Sequence, residues 1–152
     1  MKLSSLLTPE RVLIDVKEKD KNAVLNFLVN KIGQLGNIEN IDDLRKEVMD
    51  REALGNTGIG RGIGFPHAKS SHVGSLQLLL ALPAKPLEYG SLDGVPVSII
   101  LFIVAPADGD NNEYLHTMAR ISRLLGKNNV REQILKAKSP EEIIDIVTDN
   151  EA

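Results

Sequence analysis

Near the N-terminus, apolar residues recur at helical spacing. Val24, Phe27, Leu28, Ile32 and Leu35 follow at steps of three and four, which predicts an amphipathic helix with one buried stripe. Asp20 precedes that stripe and suits its N-cap, because a side-chain oxygen there accepts from an amide of the first turn; Gly36-Asn37 ends it. Ile41, Leu44 and Val48 mark a second helix, with Asp42 as the expected cap and Arg51 near its end. The period then changes. Residues 76–82 and 97–104 are near-continuous apolar runs, the second rich in β-branched residues, and the second reads as a central strand covered on both faces. Pro83 stops the first run, residues 88–94 are turn-rich, and Pro106-Ala107-Asp108-Gly109-Asp110 closes the second run. A third helix is expected over residues 112–125, with Leu115, Met118, Ile121 and Leu125 as its apolar stripe. Asn128 or Asn129 opens a short fourth helix through Ile134 and Leu135. Ser139-Pro140-Glu141-Glu142 starts a fifth, combining a Ser cap, Pro at the first helical position and Glu three residues after the cap; Ile143, Ile146 and Val147 form its buried face. Strands interleaved with one-faced helices imply an α/β fold, a mixed sheet sandwiched between helices, as a single domain over residues 1–152.

One stretch obeys neither period. Gly58-Ile59-Gly60-Arg61-Gly62-Ile63-Gly64-Phe65-Pro66-His67-Ala68 places a glycine at every second position and ends on a proline and a histidine. Glycine lets a backbone take positive φ and approach a ligand closely, and consecutive amides in such a segment can form an anion-binding concavity. The amides around Gly62 and Gly64 are therefore candidate phosphate donors. Pro66 fixes the backbone just before His67 and limits how the imidazole is presented. Neutral imidazole is abundant near pH 7 and can accept a phosphoryl group, so His67 is the candidate nucleophile. The familiar nucleotide loops do not fit. After Gly55 and Gly60 come Arg61 and Gly62, so the lysine and hydroxyl of a P-loop are missing, and the alternating glycines never make the dinucleotide spacing.

Composition narrows the function classes. The chain has 152 residues with 42% hydrophobic and 26% charged, ordinary for one globular domain. Aromatics are only 3%, so the core must be aliphatic, and a net charge of −3 argues against a nucleic-acid binder. Without cysteine there are no disulfides and no thiolate metal sites. Residues 1–7 run at once into Pro9-Glu10-Arg11, without the apolar region of a signal peptide, and residues 95–105 are too short to span a bilayer. A cytoplasmic protein without membrane insertion is expected. His72 stands in a Lys69-Ser70-Ser71-His72 turn, and three histidines without cysteine make a metal site improbable. Ser70 and Ser71 lack the Gly-x-Ser-x-Gly elbow of a hydrolase and read as turn residues.

The stretch from Arg51 to Lys69, Arg-Glu-Ala-Leu-Gly-Asn-Thr-Gly-Ile-Gly-Arg-Gly-Ile-Gly-Phe-Pro-His-Ala-Lys, resembles the active-site segment of phosphotransferase-system enzyme IIA domains of the fructose–mannitol class. Within that class it is most similar to the nitrogen-regulatory enzyme IIA proteins, through Leu54-Gly55-Asn56-Thr57-Gly58-Ile59-Gly60. The resemblance covers nearly the whole chain. It implies that His67 is phosphorylated by a histidine-phosphocarrier protein, on Nε2, without a cofactor or metal. It implies that Arg51 stabilises the phosphoryl oxygens, a task for which a guanidinium is well suited; otherwise Arg51 would be a solvated residue favouring the helix C-terminus. It further implies protein partners, with a regulatory target unknown and a homodimer open.

The chain departs from the family at one position. Many members carry a second histidine before a leucine at the start of the third helix, where this chain has Tyr114-Leu115. A tyrosine hydroxyl can hydrogen-bond an imidazole or a phosphoryl oxygen but carries no positive charge near neutrality. With Leu115 facing the core, Tyr114 is expected to overhang the site. His116 lies about 200° further round the helix and is expected to face elsewhere. Three functions follow: a regulatory phosphoryl carrier, a sugar-specific enzyme IIA that passes phosphate to a IIB cysteine, and a binding module without phosphotransfer.

Overall fold

The computed structural model describes residues 2–109 and 111–151; Asp110, expected to help close the second apolar run, lies outside them. Among the described residues, six α-helices and six strands follow in the order α1 (Leu3–Leu6), β1 (Val12–Val16), α2 (Lys21–Leu35), α3 (Ile41–Leu54), β2 (Gly58–Gly60), β3 (Ile63–Gly64), β4 (His67–Ser70), β5 (Gln77–Pro83), β6 (Ile99–Pro106), α4 (Asn111–Leu125), α5 (Asn128–Lys136) and α6 (Pro140–Asn150). The strands form one mixed sheet in the order β1-β5-β6-β3-β2, and β4 also pairs with β6. β6 is antiparallel to β5 and parallel to β3 and β4.

The alternation of side chains on β5 and β6 builds two cores. Leu78, Leu80, Leu82, Ile99, Leu101, Ile103 and Ala105 face one side, where they pack with Leu3, Ile121, Leu125, Val130, Ile134, Ile143 and Val147 of α1, α4, α5 and α6. Leu79, Ala81, Ile100, Phe102 and Val104 face the other, against Val24, Leu28, Ile32, Leu44 and Val48 of α2 and α3. The sheet is thus sandwiched between helices, as the alternating pattern predicts.

Helix starts follow local chemistry. Asp20 accepts from the Ala23 amide at 2.8 Å and Ser139 from the Glu142 amide at 3.1 Å. α3 differs from expectation. Asn40 caps it, accepting from the Asp43 amide at 3.2 Å, while Asp42 lies inside the first turn and pairs with Arg45. α5 begins after Lys127, which offers no side-chain cap. The largest correction falls on α4. Its buried face is Tyr114, Thr117, Ile121, Leu124 and Leu125, whereas Leu115 is 51% exposed. Tyr114 and Leu115 point about 100° apart on the helix, and at this turn it is the Tyr114 side that meets the sheet. The tyrosine ring and the threonine methyl carry the apolar face that a search for aliphatic residues assigned to Leu115.

Candidate active site

The glycine-dense stretch is structured as three short strands. β2 and β3 form a tight hairpin whose turn residues Gly60, Arg61 and Gly62 all have positive φ, at 87°, 58° and 79°. Arg61 is an L-residue in the left-handed region, and Asp93 offsets that cost by accepting its amide at 2.8 Å and that of Val95 at 3.1 Å. Those two amide bonds, the Arg61 one first, hold the Asp93 carboxyl below its usual range. β3 and β4 then run in the same direction along one edge of β6. Ile63 and Gly64 pair with Ile99 and Ile100, and His67 to Ser70 pair with Ile103 to Pro106. Phe65 and Pro66 interrupt the two. Pro66 has no amide to give, but its carbonyl accepts from the Ile103 amide at 3.1 Å.

His67 is the first residue after that interruption and is half-buried. Its Nδ1 lies 2.8 Å from the Phe65 carbonyl oxygen. A carbonyl can only accept, so Nδ1 carries the proton and Nε2 holds the lone pair. The Phe65 ring meets the imidazole edge-on, with centroids 5.6 Å apart. One sequence-local contact therefore sets both the ring's orientation and which nitrogen is nucleophilic.

Arg51 lies one turn before the end of α3, deeper in the helix than expected, and its Nη1 donates to the Gly55 carbonyl at 3.1 Å. The loop beside it is tied to the sheet by Glu52. That carboxylate accepts from Lys21 Nζ at 2.6 Å, the Thr57 amide at 2.9 Å and Thr57 Oγ1 at 2.6 Å. Since the Thr57 hydroxyl proton goes to Glu52, the Tyr89 hydroxyl must donate to Thr57 Oγ1, at 2.8 Å. Lys21 Nζ also sits 4.4 Å above the Tyr89 ring. Burial pushes the Tyr89 phenol far up, and the nearby Glu52 charge adds to that shift. Sequence reasoning passes over Glu52, Thr57 and Tyr89 as site residues. Only adjacency to Arg51 and the glycine segment signals the first two, and nothing marks Tyr89 within its turn-rich stretch.

Gly62 and Gly64 are both buried within the hairpin. Gly62 uses its positive φ for the turn, and a Cβ on Gly64 would lie 3.3 Å from the Tyr89 ring and from Val97. Their place in the structure is to let β3 pack closely. Tyr114 is 8% exposed, and no hydrogen bond joins it to His67 among the described residues. Its ring instead lies under Lys69, whose Nζ is 5.0 Å from the centroid. Burial raises the Tyr114 phenol, while the charge of Arg51 pulls it partly back. His116 is exposed on the outer face of α4. His72 pairs with Asp43 of α3 at 3.0 Å, and no group of three His, Cys, Asp or Glu among the described residues could hold a metal ion. Ser70 is not a turn residue; it ends β4, buried, and donates to Glu47 at 2.7 Å. Ser71 lies in the turn that follows.

A three-layer α/β domain that offers one imidazole nitrogen at a sheet edge has the architecture of a phosphotransferase-system carrier domain. The chain belongs to the family described as "Phosphoenolpyruvate-dependent sugar phosphotransferase system, EIIA 2", which matches residues 5–150. As a member, it is a component of phosphoryl transfer within that system. It is 32% identical to a fructose-specific EIIABC component of Bacillus subtilis, covering 99% of this chain and 24% of that protein. The chain thus spans about a quarter of that relative. It is 30% identical to a nitrogen regulatory protein of Pseudomonas aeruginosa, covering 98% of this chain and 96% of that one. The fold matches the nitrogen regulatory protein IIA-Ntr of Neisseria meningitidis with a TM-score of 0.89 at 21% identity, covering 95% of this chain and 98% of that one. It also matches the mannitol IIA of Escherichia coli, at 0.80 and 18%, covering 93% and 98%. No described helix is long and apolar enough to cross a membrane.

Proposed function

We propose that this chain is a cytoplasmic phosphoryl carrier that accepts phosphate on Nε2 of His67 from a phosphohistidine carrier protein. The hydrogen bond from Nδ1 to the Phe65 carbonyl is the observation that carries the reading. It leaves one nucleophilic nitrogen and keeps it pointing away from the backbone. In the transfer, the Nε2 lone pair forms a bond to phosphorus while the donor's N–P bond breaks, and its electron pair returns to the donor ring. Nδ1 keeps its proton throughout, so the step needs no proton transfer at His67. Arg51 meets the phosphoryl oxygens with charge-assisted bonds, and no metal is called on. Gly62 and Gly64 support this site by packing rather than by holding phosphate.

The carrier's output is regulatory in this reading: its phosphorylation state is sensed by a partner protein. The full-length likeness to the nitrogen regulatory protein of Pseudomonas aeruginosa favours it. The sugar-specific alternative is favoured by the identity to the fructose-specific Bacillus subtilis protein. It predicts onward transfer to a IIB cysteine. Incubation with phosphoenolpyruvate, enzyme I and the histidine carrier, followed by intact mass, is expected to show one added phosphate that is lost in acid and kept in base. Phosphorus NMR is expected to place it on Nε2. Label that persists in His67→Ala overturns the assignment. Rapid loss of label to a IIB protein selects the sugar-specific reading.

A further inference from the structure

His67 and Lys69 are two apart on β4, and side chains two apart on a strand share a face. Ala68 and Ser70, between and beyond them, are buried. The face that presents the imidazole therefore also presents an ammonium. That ammonium is placed rather than loose. Its Nζ donates to Asn111 Oδ1 and lies 5.0 Å from the centroid of the Tyr114 ring, and both partners belong to the first turn of α4. Lys69, Asn111, Glu113 and Tyr114 line a solvent-open cleft of about 370 Å³. Glu113 shares that cleft, yet Lys69 makes no ion pair among the described residues. A helix N-terminus is the positive end of its dipole and an unfavourable place to keep a cation. An anion arriving on the His67 face removes that repulsion and gains a charge-assisted bond.

We infer that Lys69 is a second phosphoryl-binding cation of this site, complementing Arg51, and that Tyr114 is a positioning residue that holds Lys69 by its ring. The inference rests on His67 being the phosphoryl acceptor. Arg51 stands on α3, near enough to Tyr114 for its charge to act on that phenol, and Lys69 is held from α4, so a phosphoryl group on His67 would be offered positive charge from two elements. It gives the tyrosine a role that its ring fills and its hydroxyl does not: a π face that keeps a cation in place without neutralising it.

The test measures phosphoryl transfer from the phosphorylated histidine carrier to purified full-length variants in single turnovers, over a range of donor concentrations. Lys69→Met, which keeps the aliphatic stem, is expected to lower the saturating rate about 10- to 100-fold with little change in the half-saturating concentration. Lys69→Arg is expected to restore most of the rate. Tyr114→Leu is expected to lower it about two- to fivefold, the loss of one cation–π contact, and Tyr114→Phe by less than that. Circular dichroism confirms that each variant is folded. Wild-type labelling with an unchanged saturating rate in Lys69→Met overturns this inference alone. So does a defect seen only at sub-saturating donor, which makes Lys69 a docking residue. A wild-type chain that accepts no phosphate overturns the inference together with the carrier reading beneath it.

Discussion

β5 and β6 differ from the arm formed by β2, β3 and β4 in what holds them. The central pair is bound by repetition: each second side chain enters one core, the others enter the second, and almost any apolar residue of suitable volume serves. The arm buries only Ile63, Phe65 and Ala68 as core side chains among its described residues. It is bound by individual polar contacts, Glu52 with Thr57, Thr57 with Tyr89, Asn56 with the Tyr89 carbonyl, Asp93 with the Arg61 amide, and Phe65 with His67. The imidazole proposed to carry phosphate belongs to the second kind of structure, mounted on the first. Chemistry of this type needs one side chain in one orientation, which a specific contact supplies and a repeating apolar face does not.

That division separates function from stability in mutants. His67→Ala is expected to abolish phosphorylation while lowering stability by no more than about 1.5 kcal/mol, the worth of its single hydrogen bond. Intact mass and urea unfolding check the two halves. Phe102→Ala, in the central strand, is expected to cost about 3–5 kcal/mol through the cavity it leaves. It should leave the transfer rate of the folded fraction near normal. Equal effects of both changes on both measurements would dissolve the distinction. Arg51→Ala is expected to raise the transfer barrier by about 2–4 kcal/mol, read from single-turnover rates, with the fold intact. An unchanged rate makes Arg51 a bystander.

Two smaller changes probe the arm itself. Glu52→Gln weakens a carboxylate with three donors and is expected to cost about 1–3 kcal/mol in urea unfolding. Tyr89 gives a pH signature. Folding raises its phenol above the unfolded value, so its contribution is whole below the ordinary tyrosine range and is lost as pH rises past about 10. The urea midpoint should therefore fall as pH rises beyond about 10, and Tyr89→Phe should flatten that fall. An equally steep fall in the variant assigns the effect elsewhere.

The same division decides what could be read from the sequence. α2, α6, β5 and β6 were legible because period and capping agree, and their observed ends lie close to those expected. β1 was missed, since five residues broken by Asp15 at φ 62° show no clean alternation. β2, β3 and β4 were missed because glycine erases the side-chain pattern on which strand reading depends. His67 and Arg51 were singled out through their segment, as candidates that the proposed phosphorylation assay tests. Lys69 became visible only once residues 67–70 were known to be a strand, which puts it on the histidine's face. Leu115 misled because leucine outranks tyrosine and threonine on any scale of apolarity, while the helix buries whichever residues its neighbours leave room for.

The bond from the Ile103 amide to the Pro66 carbonyl has a meaning for endurance. Ile103 sits mid-strand in β6, flanked by β5 on one side and β4 on the other. Amide protons in such a position are released only when the whole domain opens, whereas those at a hairpin tip escape by local fraying. The residue just before His67 is thus moored to the central strand of the sheet, although the histidine itself stands on an edge. The tip at Arg61 is held by separate contacts, to Asp93 and the Gly126 carbonyl, so local opening there need not break the Pro66 bond. In the proposed carrier role the imidazole would keep its place through many rounds of loading between one unfolding event and the next.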